Sequence, residues 1–524
     1  MRILCSMICI VSILFIGYTG CIQPDHMRVF QPDFSEILDT DIKDDALIKK
    51  QQQFIQLPVI EKTLNLSIEE TVMYALSNNR ALYIQQLQPI ISGTFDQIER
   101  GVYDPEFFVN ASYARNRAKE ISTDHENITD EKDIELSLGL RQSLPYGTKI
   151  EMAMEKSRNV NNNDPDTHKA GIKLSITQSL LNGYGSVVNL ANIRMAEFDT
   201  MATKFELFEY TQSLVAKTEI AYWKYVLAKQ KTSICEQSLA IAKKQRKEIK
   251  QQISIGLLPT NEAFAARAEV ALRKQALLDA QNLMVNSRLH LLKLITIDPN
   301  NYFDIQLIPS SQPDLKITLF TDLNDRIKLA EKLRPDLNEA RLRLKQRRLE
   351  TIVTRNGILP KLELFIVMGS TGYADSFSES FKNINDSTYD TTVGMQFSHY
   401  LGNRAANSRH YGAKIKRQQA LTAIANLRNI VHFDVRIAFN DLEHARKQIS
   451  ATQMTLKYQK QTAKAEKDRF SVGASTALMV SQVYRDLLAA QNAKIEAIVN
   501  YRIALIKLYV AEGSLLKRRG FFVN

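Results

Sequence analysis

The sequence is poor in residues that break or cross-link a chain: 524 residues include 13 prolines, 19 glycines, four cysteines and one tryptophan. Outside the apolar start of the chain no run of eighteen apolar residues occurs, which leaves no transmembrane helix to expect. The eight histidines form neither HExxH nor a Cys/His pair with ligand spacing, and even His432 with Asp434 reads as helix packing or solvent contact, so no metal centre is expected. Gly183-Tyr184-Gly185 and Gly369-Ser370-Thr371-Gly372 lack the strand-loop-helix context and the lysine of a phosphate cradle. Neither an enzyme nor a cofactor is expected. Lysine plus arginine, 68, exceed aspartate plus glutamate, 57, for a net charge of +11. The basic residues are scattered, as in Arg341, Arg343, Lys345, Arg347 and Arg348, which describes solvated helix faces and no nucleic-acid partner.

Where breakers are missing altogether, long helices follow. No Gly or Pro lies between Ala413 and Val472, and apolar residues recur at Ile424, Leu427, Val431, Val435, Ala438, Leu442, Ala445 and Ile449. These 60 residues would reach roughly 90 Å as a helix, a length that only other long helices can bury. Ser186 to Ile255 is equally free of breakers. Seventy-one residues separate Gly185 from Gly256 and again Gly402 from Gly473, and after each second glycine 39 further residues lack both breakers, Thr260 to Asp298 and Ala474 to Glu512. Two helical hairpins of equal helix lengths are expected, each turning at a short tip.

The β part precedes each hairpin. Four alternating runs occupy the first half, at Phe107/Val109/Ala111/Tyr113, Ile134/Leu136/Leu138/Leu140, Ile150/Met152/Met154 and Ile172/Leu174/Ile176; two occupy the second, at Leu362/Leu364/Ile366/Met368 and Val393/Met395/Phe397, joined by a polar loop. The extra hairpin would turn at Leu144-Pro145-Tyr146-Gly147. Ser67 starts a helix expected to run to about Arg100, and Leu82 and Pro105 recur as Leu337 and Pro360 at one offset of 255 residues, which marks an internal duplication. Alternating strands of this length suit either a soluble sheet or a membrane barrel; a leader and an even strand number per half favour the barrel, which six strands per chain would need several chains to close.

Residues 1–20 read as a signal peptide, with Arg2 before an apolar run from Ile3 to Ile16. Tyr18-Thr19-Gly20-Cys21 resembles the lipobox of bacterial lipoproteins, with Tyr18 in place of the usual Leu. Lipidation is therefore expected at Cys21, with Ile22 after it favouring the outer membrane. Cys5 and Cys9 leave with the leader, and Cys235 alone remains, as a small packing residue, so no disulfide framework is expected.

Taken in order, Leu76-Ser77-Asn78-Asn79 with Arg334-Pro335-Asp336-Leu337, Gln178 to Gly183, Leu401-Gly402-Asn403-Arg404, the tips Ile255-Gly256-Leu257 and Val472 to Thr476, and Leu508 to Gly513 resemble the TolC family of outer-membrane efflux proteins. The resemblance implies a mainly α fold with a membrane β-barrel portion, an internally duplicated protomer, and a homotrimer forming one tunnel. It implies residues 21–65 as a lipidated tether, 66–315 as a first repeat (strands 106–178, hairpin 186–298), 316–515 as a second (strands 361–399, hairpin 404–512) and 516–524 as a tail. The tether, the linker from Pro299 to Asp325 and the tail would form an equatorial belt. The implied partners are outer-membrane lipid, a periplasmic adaptor protein and, through it, an inner-membrane transporter of RND or ABC type. The implied function is a passive exit duct of an efflux or type I secretion system; a periplasmic adaptor or a lipid-anchored coiled-coil scaffold without a pore is the alternative.

Two departures from the family accompany this. The usual protomer supplies four strands, whereas this one reads as six, which implies either a wider barrel of eighteen or an extra hairpin folded as a flap. Adaptor docking and the periplasmic gate are implied at Gly256, Leu257, Glu262, Phe470, Gly473, Ser475, Thr476, Met479 and Gln482. Where relatives carry tyrosine, arginine and two acidic residues, this chain has Phe470, Ser475, Met479 and Gln482, so closure by packing of Phe470 and Met479 is expected instead of a salt-bridged gate.

Overall fold

The computed structural model describes residues 57, 63–121, 126–161, 164–296, 302–312, 322–385 and 388–521. The leader, Cys21, most of the tether, much of the linker and the last three residues lie outside them. In chain order the elements are β1 (Thr63–Leu66), α1 (Ile68–Asn78), α2 (Arg80–Arg100), β2 (Glu106–Ile121), β3 (Glu126–Ser143), β4 (Thr148–Asn161), β5 (Asp164–Ser179), α3 (Ser186–Asn189), α4 (Ala191–Ser254) and α5 (Glu262–Ile295). Then come β6 (Gln306–Pro309), α6 (Leu323–Leu333), α7 (Pro335–Asn356), β7 (Lys361–Ala374), α8 (Phe377–Lys382), β8 (Tyr389–Ser398), α9 (Arg404–Ser471), α10 (Ala477–Ala511) and α11 (Leu515–Arg518).

Ser67 starts α1 with a closed capping box: its hydroxyl accepts from Glu70 N at 3.1 Å and the Glu70 carboxylate accepts from Ser67 N at 2.8 Å. The helix expected to continue to Arg100 is divided at Asn79, which is extended and whose side chain accepts from Leu82 N at 3.0 Å to begin α2. The second half divides at the same repeat position, Arg334, because Pro335 keeps the residue before it extended.

The hairpins are nearly equal, and the small inequality has a cause. Helices α9 and α10 have 68 and 35 residues, α4 and α5 have 64 and 34. The ascending arm of the first hairpin is interrupted at Leu190, where ψ rises to 5°, and α3 is the piece cut off. At about 1.5 Å per residue α9 spans about 100 Å. Its stripe faces inward from Val431 to Ile449 and is half-buried at Ile424 and Leu427. It packs against Ile327 and Ala330 of α6 and Tyr501, Leu505 and Leu508 of α10.

Part of the stretch read as tether is a strand: β1 pairs in parallel with β6 of the linker. Helix α4 pins this ribbon, since Tyr222 Oη donates to Leu66 O at 3.1 Å and Tyr225 Oη to Leu307 O at 2.7 Å. The other six strands form one antiparallel sheet in the order β2-β3-β4-β5-β7-β8. The β3–β4 turn falls at Leu144 to Gly147 as expected, with Gly147 at φ 87° and its N–H donating to Leu144 O at 3.0 Å. The connection from β7 to β8, read as a polar loop, carries α8, whose Phe377 and Phe381 make it amphipathic.

Candidate functional site

The register sorts the six strands into two faces. One carries Val109, Leu138, Met152, Leu174, Met368 and Val393; the other carries Asn110, Ser137, Glu155, Gly171, Thr371 and Thr392. Most large side chains of the first face are exposed, including Phe107, Val109, Leu140, Met152, Val393 and Phe397. The polar face is concave and encloses about 380 Å³ lined by Asn110, Glu135, Glu155, Lys169 and Tyr373, among others. Apolar outside and polar inside reverses the arrangement of a soluble sheet and matches a barrel whose outer wall meets lipid. Two glycines assist the curvature. Phe108 lies across Gly139 and Phe365 across Gly394, where an added Cβ would come within 2.9 and 2.4 Å of the rings.

At the opposite end of the molecule the two hairpin tips meet. Gly256 and Gly473 both adopt left-handed backbone, φ 75° and 77°, so each chain reverses within a few residues. Leu257 is exposed. Thr476 caps α10, its hydroxyl accepting from Met479 N at 3.3 Å. Ser475 Oγ donates to the Glu466 carboxylate. Glu262 lies in the first turn of α5 and its Oε2 accepts from Ala477 N at 3.1 Å, so one carboxylate serves the N-termini of α5 and α10 and joins the two tips. Phe470 packs with Ile249, Ile253, Leu258, Ala266 and Ala477 in the seam between the hairpins. Met479 and Gln482 are exposed and belong to no apolar cluster among the described residues. Within one chain Phe470 thus faces the seam while Met479 faces outward.

Ion pairs tie the helices of the second half together between these ends. Arg334 bonds Asp336 at 2.6 Å and Asp434 of α9 at 2.8 Å. His432, read as packing or solvent-facing, instead bonds Glu331 at 2.8 Å, and this bond holds the Glu331 carboxyl below its usual range. Burial, then neighbouring Glu206, pushes the Glu339 carboxyl up. Glu512 is fully buried, held by Arg326 at 3.1 Å, by Arg518 at 3.4 Å and by a bond donated from Ser514 Oγ at 2.8 Å. Sequence spacing gave no sign of the Glu262–Ala477 tie or of the Arg326–Glu512 pair, whose members lie 215 and 186 residues apart. Among the described residues no group of three His, Cys, Asp or Glu side chains is arranged to hold a metal ion.

Residues 327–514 match the family model of outer membrane efflux proteins. No curated protein sequence matches the chain. Among solved structures the outer-membrane channel OprN superposes with a TM-score of 0.65 at 17% identity, over 85% of this chain and 90% of its own. The Campylobacter jejuni CmeC outer membrane channel gives 0.62 at 16% identity over 86% of both chains. The Neisseria gonorrhoeae MtrE outer membrane channel, in its open state, gives 0.61 at 18% identity over 89% of this chain and 98% of its own. Most of the second half of this chain thus resembles outer membrane efflux proteins in sequence, and over most of its length the chain has the fold of the TolC-family channels.

Proposed function

We propose that three copies of this chain close into one passive exit duct through the outer membrane and across the periplasm, the outer part of a tripartite efflux or secretion machine. The observation that carries this is the open sheet. Its edges, β2 and β8, are long and unpaired among the described residues, and exposed edges of this kind call for a partner strand. Strand β2 runs away from the helices and β8 toward them, so β8 of one copy meets β2 of the next antiparallel, as a closed barrel requires. Helix α2 exposes Ile84, Leu87, Ile91, Phe95 and Ile98 at helical spacing, a stripe that needs a neighbouring helix. A scaffold or an adaptor would have no use for a sheet that is apolar outside and polar within.

In this reading Cys21 carries lipid after loss of residues 1–20, and the tether brings the anchor to the same membrane. The tips, with Gly256, Leu257, Glu262, Gly473, Ser475 and Thr476, dock a periplasmic adaptor that connects to an inner-membrane transporter. Phe470 stiffens the tip from inside, while Met479 and Gln482 are free to meet the neighbouring copies at the entrance. Conductance in planar bilayers together with the mass of the detergent-solubilised particle tests the duct. A trimer with discrete conductance steps is expected; a monomer that leaves the bilayer silent would refute it.

A further inference from the structure

The register that separates apolar from polar side chains also separates charge at the end of the sheet remote from the helices. There the outward face of β2, β3 and β4 changes from apolar to basic, with Arg115, Arg117, Lys119, Lys132, Lys156 and Arg158 on it. The acids that the register of β2 to β4 puts on this face are Asp130, bonded to Arg115 at 2.8 and 2.6 Å, and Glu126 at the start of β3. Acids gather on the inward face at the same height. Glu131 and Asp133 share the Asn159 amide at 2.6 and 2.7 Å, followed by Glu135 and Glu155. At the helix-side end the outward face carries Gln142, Thr148 and Gln178 and no charge.

The outward rim is completed by α8. The segment around it folds back onto the outside of β7, with Ser370 Oγ donating to Ile384 O at 2.6 Å and Asn383 Nδ2 to Tyr373 O at 3.1 Å. Lys156 Nζ lies 3.9 Å from the centre of the Phe377 ring. Phe377 and Phe381 stay partly exposed beside Glu379 and Lys382.

We propose that this rim binds the phosphorylated headgroups of outer-leaflet lipid. The inference rests on the duct reading, which places the apolar band in hydrocarbon and the rim at headgroup height. A rim merely solvated by water would carry charges of both signs on both faces. Here, on β2 to β4, six cations against two acids face outward while Glu131, Asp133, Glu135 and Glu155 face inward, at one end only, directly above the lipid-facing band. Arginine and lysine are the side chains that bind phosphate through charge-assisted hydrogen bonds, and aromatic residues settle at the same interface.

The test compares retention of bis-phosphorylated lipid A and its dephosphorylated form by the purified full-length protein in phosphatidylcholine nanodiscs, read by native mass spectrometry. The wild type is expected to prefer the phosphorylated lipid by about tenfold, a preference that shrinks with added salt. Arg117→Gln/Lys132→Gln/Lys156→Gln, which spares the Arg115–Asp130 pair, is expected to lose most of it while conducting like the wild type. Equal retention of both lipids by the wild type, a preference indifferent to salt, or displacement by inorganic phosphate at equal concentration would overturn the proposal. Conductance of the same preparations separates the two readings: a silent wild type refutes the duct and the rim's placement with it, whereas normal conductance without lipid preference refutes the rim alone.

Discussion

Removing the β3–β4 hairpin should narrow the barrel without opening it. Strand β2 runs away from the helices and β5 back toward them, so a chain in which Ile121 is joined directly to Asp164 can pair β2 with β5 antiparallel. Setting Ala111 opposite Ala170 keeps the apolar faces aligned, puts Arg117 opposite Asp164 and leaves Ala118 to Ile121 as the turn. Six strands from each of three copies make eighteen, and the deletion makes twelve. With neighbours about 4.8 Å apart and a tilt of about 40°, eighteen strands give a perimeter of about 113 Å and a backbone diameter of about 36 Å; twelve give about 24 Å. Electron-microscopy reconstructions of both proteins read the diameter directly, and exclusion of graded polyethylene glycols from the strand end reads the lumen. A wild-type barrel of about 24 Å, unchanged by the deletion, would show that the hairpin is a flap and refute the pairing scheme.

Three further outcomes are expected. Glu262→Ala removes the acceptor of the Ala477 N–H at a helix start, a loss of about 1 kcal/mol that should speed amide exchange at Ala477 about fivefold; unchanged exchange would show that the tips are not tied there. Gly372→Ala places a Cβ 2.1 Å from Ser380 O, which forces α8 off the sheet, so protease cleavage near Phe377 should accelerate while the trimer persists; resistance equal to the wild type would contradict this packing. Glu339 has a raised carboxyl pKa, so the folded state takes up its proton more readily than the unfolded chain, and its contribution grows as pH falls from neutral through the raised value and is complete below the ordinary one. Comparing Tm from pH 7 to about pH 4.5 for wild type and Glu339→Gln isolates that slope, and parallel curves would rule out the assignment.

The strands were legible because membrane-type alternation leaves a period of two in Phe107/Val109/Ala111/Tyr113 and its successors, and the hairpins because breakers vanish between paired glycines. The helix break at Asn79 was bridged by the periodicity on either side of it, although Ser77-Asn78-Asn79 are poor helix formers and a capping signal. Leu190 offers no local signal at all, since the interruption follows from how α3 sits against Gly183 and Gly185, which Asn189 Nδ2 bonds at 2.8 and 3.2 Å. At the tip, the positions were found from motifs, but their roles depend on partners in the other hairpin. The neighbours of Phe470, Ile249 and Ala266, come together only in the fold. Helix α8 was missed because six residues are too few to display a helical period.

Strand β5 ends at Ser179 and its neighbour β7 begins at Lys361, so their pairing must wait for the chain between them. That intervening chain includes the whole first hairpin, and closing so large a loop is slow compared with forming the meander from β2 to β5. On that ground the sheet is expected to mature in two stages, four strands early and β7 with β8 after α4 and α5 have docked. Because β8 supplies one of the two edges offered to neighbouring copies, subunits become competent to join only once their own helices are packed. In the proposed trimer this topology would delay edge-to-edge joining of copies until the helices of each copy are packed.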